Sequence, residues 1–173
     1  MSKAKKFAFG LLVIILALYI ISPITLDKIG DRVNSYSPNS ALKAEIEEET
    51  ASMTGEEIRK YSIRKTASRL SFSAHNNLVK GEANCIGYAQ MCAAIANYAF
   101  RQNGLSCNAK PVVGYVRFFG LNVCYVLSEC MPIQYLKKFV QDHDFVEFQI
   151  DGQTIYADAN AYDYLWMDCK TSK

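Results

Sequence analysis

HDFVEFQIDGQTIYADAN, residues 143 to 160, holds two alternating apolar runs joined by Asp151-Gly152. That dipeptide is strongly favoured in two-residue type I′ hairpin turns, whose central residues both need positive φ. With these two as the turn, Ile150 pairs with Gln153, Phe148 with Ile155, Phe145 with Asp158 and His143 with Asn160. Side chains alternate faces with period two. His143, Phe145, Glu147, Tyr156, Asp158 and Asn160 then share one face. Val146, Phe148, Ile150, Ile155 and Ala157 share the other, more apolar one. Asp158 becomes a diagonal neighbour of His143, with α-carbons about 7–8 Å apart in a regular ladder. Asp142 and Asp144 point to the opposite face, which excludes them as direct partners of the imidazole unless a bulge intervenes. Asn160, directly opposite His143, is the rival partner should the register slip by two.

Working back along the chain, "KPVVGYV" reads as a strand within a longer extended stretch, "NAKPVVGYVRFF". Before it, "GEANCIGYAQMCAAIANYAFRQNG", residues 81 to 104, reads as a helix from Cys85 to about Gln102, stopped by Asn103-Gly104. Five alanines, Ala89, Ala93, Ala94, Ala96 and Ala99, let neighbours approach it closely, as befits a central helix. Thr54 and Glu57 form a capping box opening another helix, with Ile58, Tyr61, Ile63, Ala67 and Leu70 as its packing positions. Pro132 opens a short helix, "PIQYLKKFVQ", and the tail after Tyr162 is a last strand or a packed cap.

Cys85 therefore stands at a helix amino terminus, among polar Gly81, Glu82 and Asn84. A helix start favours a thiolate, and an imidazole partner favours it further. A carboxylate beside that imidazole fixes its tautomer and steadies its protonated form, and amides at the helix start can receive an oxyanion. Cys85, His143 and Asp158 are thus candidate nucleophile, base and orienting carboxylate. Cys92 reads as core packing, His75 as an exposed loop residue and Glu147 as a solvated strand glutamate. Asp163 and Asp168 receive no role.

The order Cys, His, Asp, with "G-x-x-x-C-x-G-Y-A" opening a helix and then "KPVVGYV" and "HDFVEFQIDGQTIYADA", resembles the transglutaminase-like superfamily over roughly residues 56 to 165. The resemblance implies an α+β fold with a papain-like core, a central helix packed on an antiparallel sheet. It also implies nucleophilic attack by Cys85 on an amide carbonyl, giving a thioester, with His143 as general base and acid and Asp158 as its orienter. Hydrolysis, as by a peptidase or amidase, is favoured over crosslinking of amines, because bacterial members of the family are often hydrolases. The substrate would be a protein or peptide. A non-catalytic binding module of the same fold at the cell envelope is the alternative, and a structural envelope protein held by disulfides is a third.

The amino terminus adds a membrane. Lys3, Lys5 and Lys6 precede an uncharged stretch from Phe7 to Leu26; as helix it would span roughly 30 Å, the thickness of a bilayer core. No small-x-small cleavage site follows, so an uncleaved transmembrane anchor is favoured over a signal peptide. The preceding lysines would keep the amino end inside and put the domain on the extracytoplasmic side. The expected organisation is an anchor over residues 1–26, a polar linker over 27–53 with at most a short helix, and the enzyme-like domain over 54–173. Six cysteines in an exported chain permit disulfides, with Cys124–Cys130 or Cys107–Cys124 as options. No C-x-x-C pair occurs and only two histidines exist, so no metal is expected, nor an organic cofactor. The net charge of +2, with no nucleic-acid-reading motif, argues against nucleic acid as a partner.

Overall fold

A computed structural model describes residues 24–118, 120–122, 142–165 and 171–172. The expected hairpin forms with its turn where the sequence puts it: Asp151 and Gly152 both take positive φ, 50° and 77°. Strand β6 (His143–Ile150) pairs antiparallel with β7 (Gln153–Ala157), Ile150 facing Gln153 and Phe148 facing Ile155. The ladder ends at the Val146–Ala157 pair, so the further pairings of Phe145 and His143 do not form.

Six strands make one antiparallel sheet in the order β1-β4-β6-β7-β8. β1 is Ile24–Asp31, β4 is Asn108–Phe118 and β8 is Thr171–Ser172; β5 (Leu121–Asn122) hangs from β4. A short parallel pair, β2 (Ser71–Phe72) with β3 (Glu82–Ala83), stands apart. The helices are α1 (Ser40–Glu49), α2 (Gly55–Arg69), α3 (Cys85–Gln102) and α4 (Ala159–Leu165). The fold is mixed α+β.

α3 is the central helix. It packs on β4 and β6 and against α2, and all five of its alanines are buried. Its Asn103-Gly104 ending puts Gly104 at φ 65°, the left-handed conformation that glycine adopts without strain. Val146, Phe148, Ile150, Ile155 and Ala157 meet it in the main core, as the hairpin's parity requires. Phe145 and Tyr156, from the other face, join Leu26 and Val112 in a second, smaller cluster.

α2 opens on the expected capping box: Thr54 N–H donates to Glu57 Oε2 at 2.8 Å, and Glu57 N–H donates back to Thr54 Oγ1. Its buried face carries Arg59, Ser62 and Thr66 beside Ile58 and Ile63, which blurs the apolar periodicity. Arg59 is 0% exposed, and its guanidinium takes both oxygens of Glu56, one turn earlier. A buried cation without such a partner would cost several kcal/mol, on the order of 3–5.

The linker expectation over residues 27–53 is corrected. That stretch supplies most of β1, a crossing strap over residues 32–39, and α1. Leu26 is 0% exposed, and Leu42 and Ile46 are buried in the core. The segment reads as a tether because its apolar residues are few and widely spaced among charges; Leu42 and Ile46 are nonetheless buried, while Ile29 and Val33 stay exposed. The folded unit therefore includes Ile24–Asp31 and Ser40–Glu49 and does not start at residue 54. Of the expected anchor, residues 1–23 lie outside the described residues, and residues 24–26 are strand. Among the described residues no helix is long and apolar enough to cross a membrane. The Pro132 helix, Cys124, Cys130 and Asp168 also lie outside. Among the described residues Cys85, Cys92 and Cys107 are free thiols, and both bridge options involve Cys124, outside those residues.

Gly114 marks where β1 and β4 come closest. A β-carbon there would fall well inside van der Waals contact with the Asp27 carbonyl oxygen and 2.8 Å from the Phe145 ring. Gly104 has open space around it. Gly114→Ala should therefore lose about 3 kcal/mol by overpacking, against about 1 kcal/mol for left-handed strain in Gly104→Ala, both read from urea unfolding. Equal losses would contradict the close approach.

Candidate active site

The site begins at the start of α3. Asn84 is its N-cap: backbone extended, side-chain oxygen accepting from the amides of Ile86 and Gly87 at 3.1 and 3.4 Å. Cys85 is thereby the first helical residue, partly exposed. The first-turn amides of a helix have no acceptor inside it; Asn84 takes two of them and leaves that of Cys85 itself. The backbone of Asn84 is fixed in turn, its amide donating to Asn76 Oδ1 at 2.9 Å. Gly87 lets this happen, because a β-carbon there would lie 2.7 Å from both Asn76 Oδ1 and Ala83 Cβ. The "CIGYA" spacing is thus a packing requirement of the loop that carries the thiol.

His143 is the first residue of β6, paired with Gly114 of β4 but past the end of the β7 ladder. Asp158 follows β7 directly. Beyond the ladder the two side chains meet: His143 Nε2 and Asp158 Oδ2 are 2.6 Å apart. The expected partnership holds, though by convergence of two strand ends rather than across a regular diagonal. Asp158 is 3% exposed and uses its other oxygen as well. Oδ1 accepts from the amides of Asn160 and Ala161, at 2.9 and 3.1 Å, and so caps α4.

The Cys85 thiol is the other group whose proximity raises the His143 pKa. Burial works against charge on this imidazole, but the Asp158 carboxylate and Cys85 together outweigh it and hold its pKa well above the usual histidine value. A ring kept protonated between a carboxylate and a thiol is arranged to stabilise a thiolate and to donate a proton.

Asp142 and Asp144 do not bond the ring, as their parity predicts. Both are taken by Arg32, a residue the sequence reading passed over: Nε donates to Asp144 Oδ1 at 2.7 Å and Nη2 to Asp142 Oδ2 at 3.3 Å. Burial pushes the Asp144 carboxyl up, and Arg32 opposes that push. Arg32 also lies close enough to Cys85 for the two charges to interact. No local signal marks Arg32, since it sits in the stretch that reads as a tether.

Asn160, the rival partner, gives its backbone amide to Asp158, while its buried side-chain oxygen has no partner among the described residues. Asp163 does have a structural part: it accepts a 2.7 Å hydrogen bond from the buried Tyr88 hydroxyl, tying α4 to α3 one turn beyond Cys85. Glu147 is buried rather than solvated, 3.0 Å from Lys28 and 3.1 Å from Lys110. Burial alone would raise its carboxyl, and the lysines more than reverse this. His75 is exposed, and Cys92 is fully buried with its thiol pushed up to about 12 by desolvation. Cys92 is therefore inert core, in contrast to Cys85 seven residues earlier. In comparisons with known proteins the chain matches no family model, no curated protein and no solved structure.

Proposed function

We propose that the protein is a transglutaminase-like cysteine enzyme that cleaves amide bonds through Cys85, His143 and Asp158. One observation carries the reading: a partly buried imidazole, 2.6 Å from a fixed carboxylate and close to a thiol at a helix amino terminus, is biased toward its protonated form. A central helix laid on an antiparallel sheet, with the three residues in the chain order of that superfamily, supports it further. Cys85 thiolate attacks the amide carbonyl carbon, and the carbonyl electrons move to oxygen. The free Cys85 amide is placed to receive that oxyanion. Collapse breaks the C–N bond as His143 donates its proton to the departing amine, leaving a thioester. Neutral His143 then takes a proton from water as the water attacks, and the thiol is regenerated with release of a carboxylic acid. Hydrolysis is the preferred outcome over transfer to a second amine.

The lysine-led apolar amino terminus supports an anchored enzyme on the extracytoplasmic face. With Ile24–Leu26 in the sheet, the uncharged stretch left for a span is Phe7 to Pro23. As helix it would be about 25 Å long, at the short end of what crosses a bilayer. With no tether after it, the β1 edge of the sheet would sit at the membrane surface.

Two measurements test the enzyme reading. Iodoacetamide should alkylate one thiol rapidly below pH 7, and Cys85→Ala should abolish that fast phase. Labelling that instead follows an ordinary thiol value of about 8.5 would point to a non-catalytic binding module. The second measurement concerns the proton on His143. Because the folded chain binds it more tightly than the unfolded one, this pair stabilises the fold fully below about pH 6.5. That contribution is lost as pH rises through the raised folded value. In Asp158→Asn, NMR titration should show the His143 ring losing its proton at lower pH than in the wild type, and the alkaline loss of stability should flatten. The same titration in both proteins would refute the assigned pair.

A further inference from the structure

A cleft of about 990 Å³ runs beside the first two turns of α3. One wall is the strap over residues 35–39, and the other is the loop over residues 76–81. Its size is at the upper end of ordinary ligand clefts, about 300–1,000 Å³. It reaches the reactive end of the helix, because Ile86 lines it and Asn76, also on its wall, holds the Asn84 amide next to Cys85. The strap is pinned over α3 by Gln90, whose side chain donates to the Val33 carbonyl at 3.2 Å, and by Asn34, which donates to the Gln90 carbonyl at 3.1 Å.

The polar chemistry of this cleft is one-sided. Among the described residues no aspartate or glutamate lines it, whereas Arg69 and Lys80 do. Arg69 is already matched by Glu45 outside the cleft, but Lys80 has no carboxylate partner among the described residues. Asn76 and Asn77 add donors. Each uses its side-chain oxygen to accept from a backbone amide, of Asn84 and of Lys80 respectively, which fixes the oxygen and leaves the NH₂ group to donate elsewhere. Ile86, Leu78 and Met91 supply apolar surface between these donors.

We infer that this cleft binds an acidic stretch of peptide, with carboxylate side chains close to the amide presented to Cys85. The inference rests on the proposed amidase reading and names its substrate class. Donors alone suit acceptors: peptide carbonyls for the asparagine amides and a carboxylate for Lys80. The alternating apolar contacts favour a peptide over an anionic glycan.

The test uses the full chain in detergent and two tetrapeptide vinyl sulfones, identical except for glutamates in one and lysines in the other. The second-order rate of Cys85 adduct formation is read by intact mass. The glutamate probe should react faster by about fivefold, the scale of a partly exposed ion pair, and the gap should shrink as salt rises. Lys80→Glu should close or invert it. Equal rates for the two probes, or a preference that Lys80→Glu leaves untouched, would overturn the inference. Equal rates together with protection of Cys85 by an oligogalacturonate would overturn it in favour of a glycan. Loss of the fast iodoacetamide phase marks failure of the amidase reading itself, whereas its persistence with indifferent peptide probes marks failure of the acidic-peptide inference alone.

Discussion

The two oxygens of one buried carboxylate hold the site together. Asp158 Oδ1 accepts two amides of α4, and Oδ2 meets His143 Nε2. A carboxylate that merely paired with an imidazole could swing about its own bond. Here two backbone hydrogen bonds remove that freedom, so the imidazole is met by an oxygen of fixed position. The same contacts make α4 answerable to the site, and the Tyr88–Asp163 bond returns α4 to α3, the helix that carries Cys85. The path from carboxylate to thiol is therefore closed on both sides, through the imidazole and through the protein scaffold. Buried ion pairs of this kind add little net stability over an apolar replacement. That makes chemistry the better reason for having one here.

Three carboxylates lie near His143, and only Asp158 bonds its ring. Asp142 and Asp144 flank it directly, and Asp144 is 2% exposed. Unmatched, they would compete for the proton and repel a thiolate. Arg32 takes both, and its charge also reaches Cys85. The cation thus removes negative charge from the strand on one side while favouring negative charge on sulfur on the other. Glu147 is managed in the same way by Lys28 and Lys110, away from the ring. Each buried acid has its own cation, and the main influences raising the His143 pKa are Asp158 and Cys85.

Local chemistry is what a sequence displays, and local chemistry was enough for the hairpin, the capping box and the glycine stop of α3. Asp151-Gly152 could form only a positive-φ turn, and the register of β6 on β7 followed from it. Arg32 and the strap were hidden for the opposite reason. Their roles arise from residues 56 to 112 positions away, Gln90, Asp142 and Asp144 among them, and charged side chains read the same whether solvated or paired. Glu147 shows this most plainly: a glutamate on an alternating strand looks exposed until two lysines from β1 and β4 are brought over it. Parity located the His143–Asp158 pair while missing its geometry, because the ladder stops at Ala157 and the contact is made past its end.

Two glycines explain why those strand ends and the helix start can converge at all. At Gly87 the loop carrying Asn76 and Ala83 lies where any side chain would stand, and that loop fixes the amide just before Cys85. At Gly114 the backbone of β1 presses onto β4 directly opposite His143, and the Phe145 ring fills the space beside it. The first approach sets the thiol and the second sets the strand end that bears the imidazole. The contact at Gly114 is with backbone, which yields less readily than a side chain when crowded, whereas Gly87 faces the side chains of Asn76, Leu78 and Ala83. The positions of thiol and imidazole are thus set by close packing at two glycines, leaving the hydrogen bonds of Asn84 and Asp158 to orient the groups.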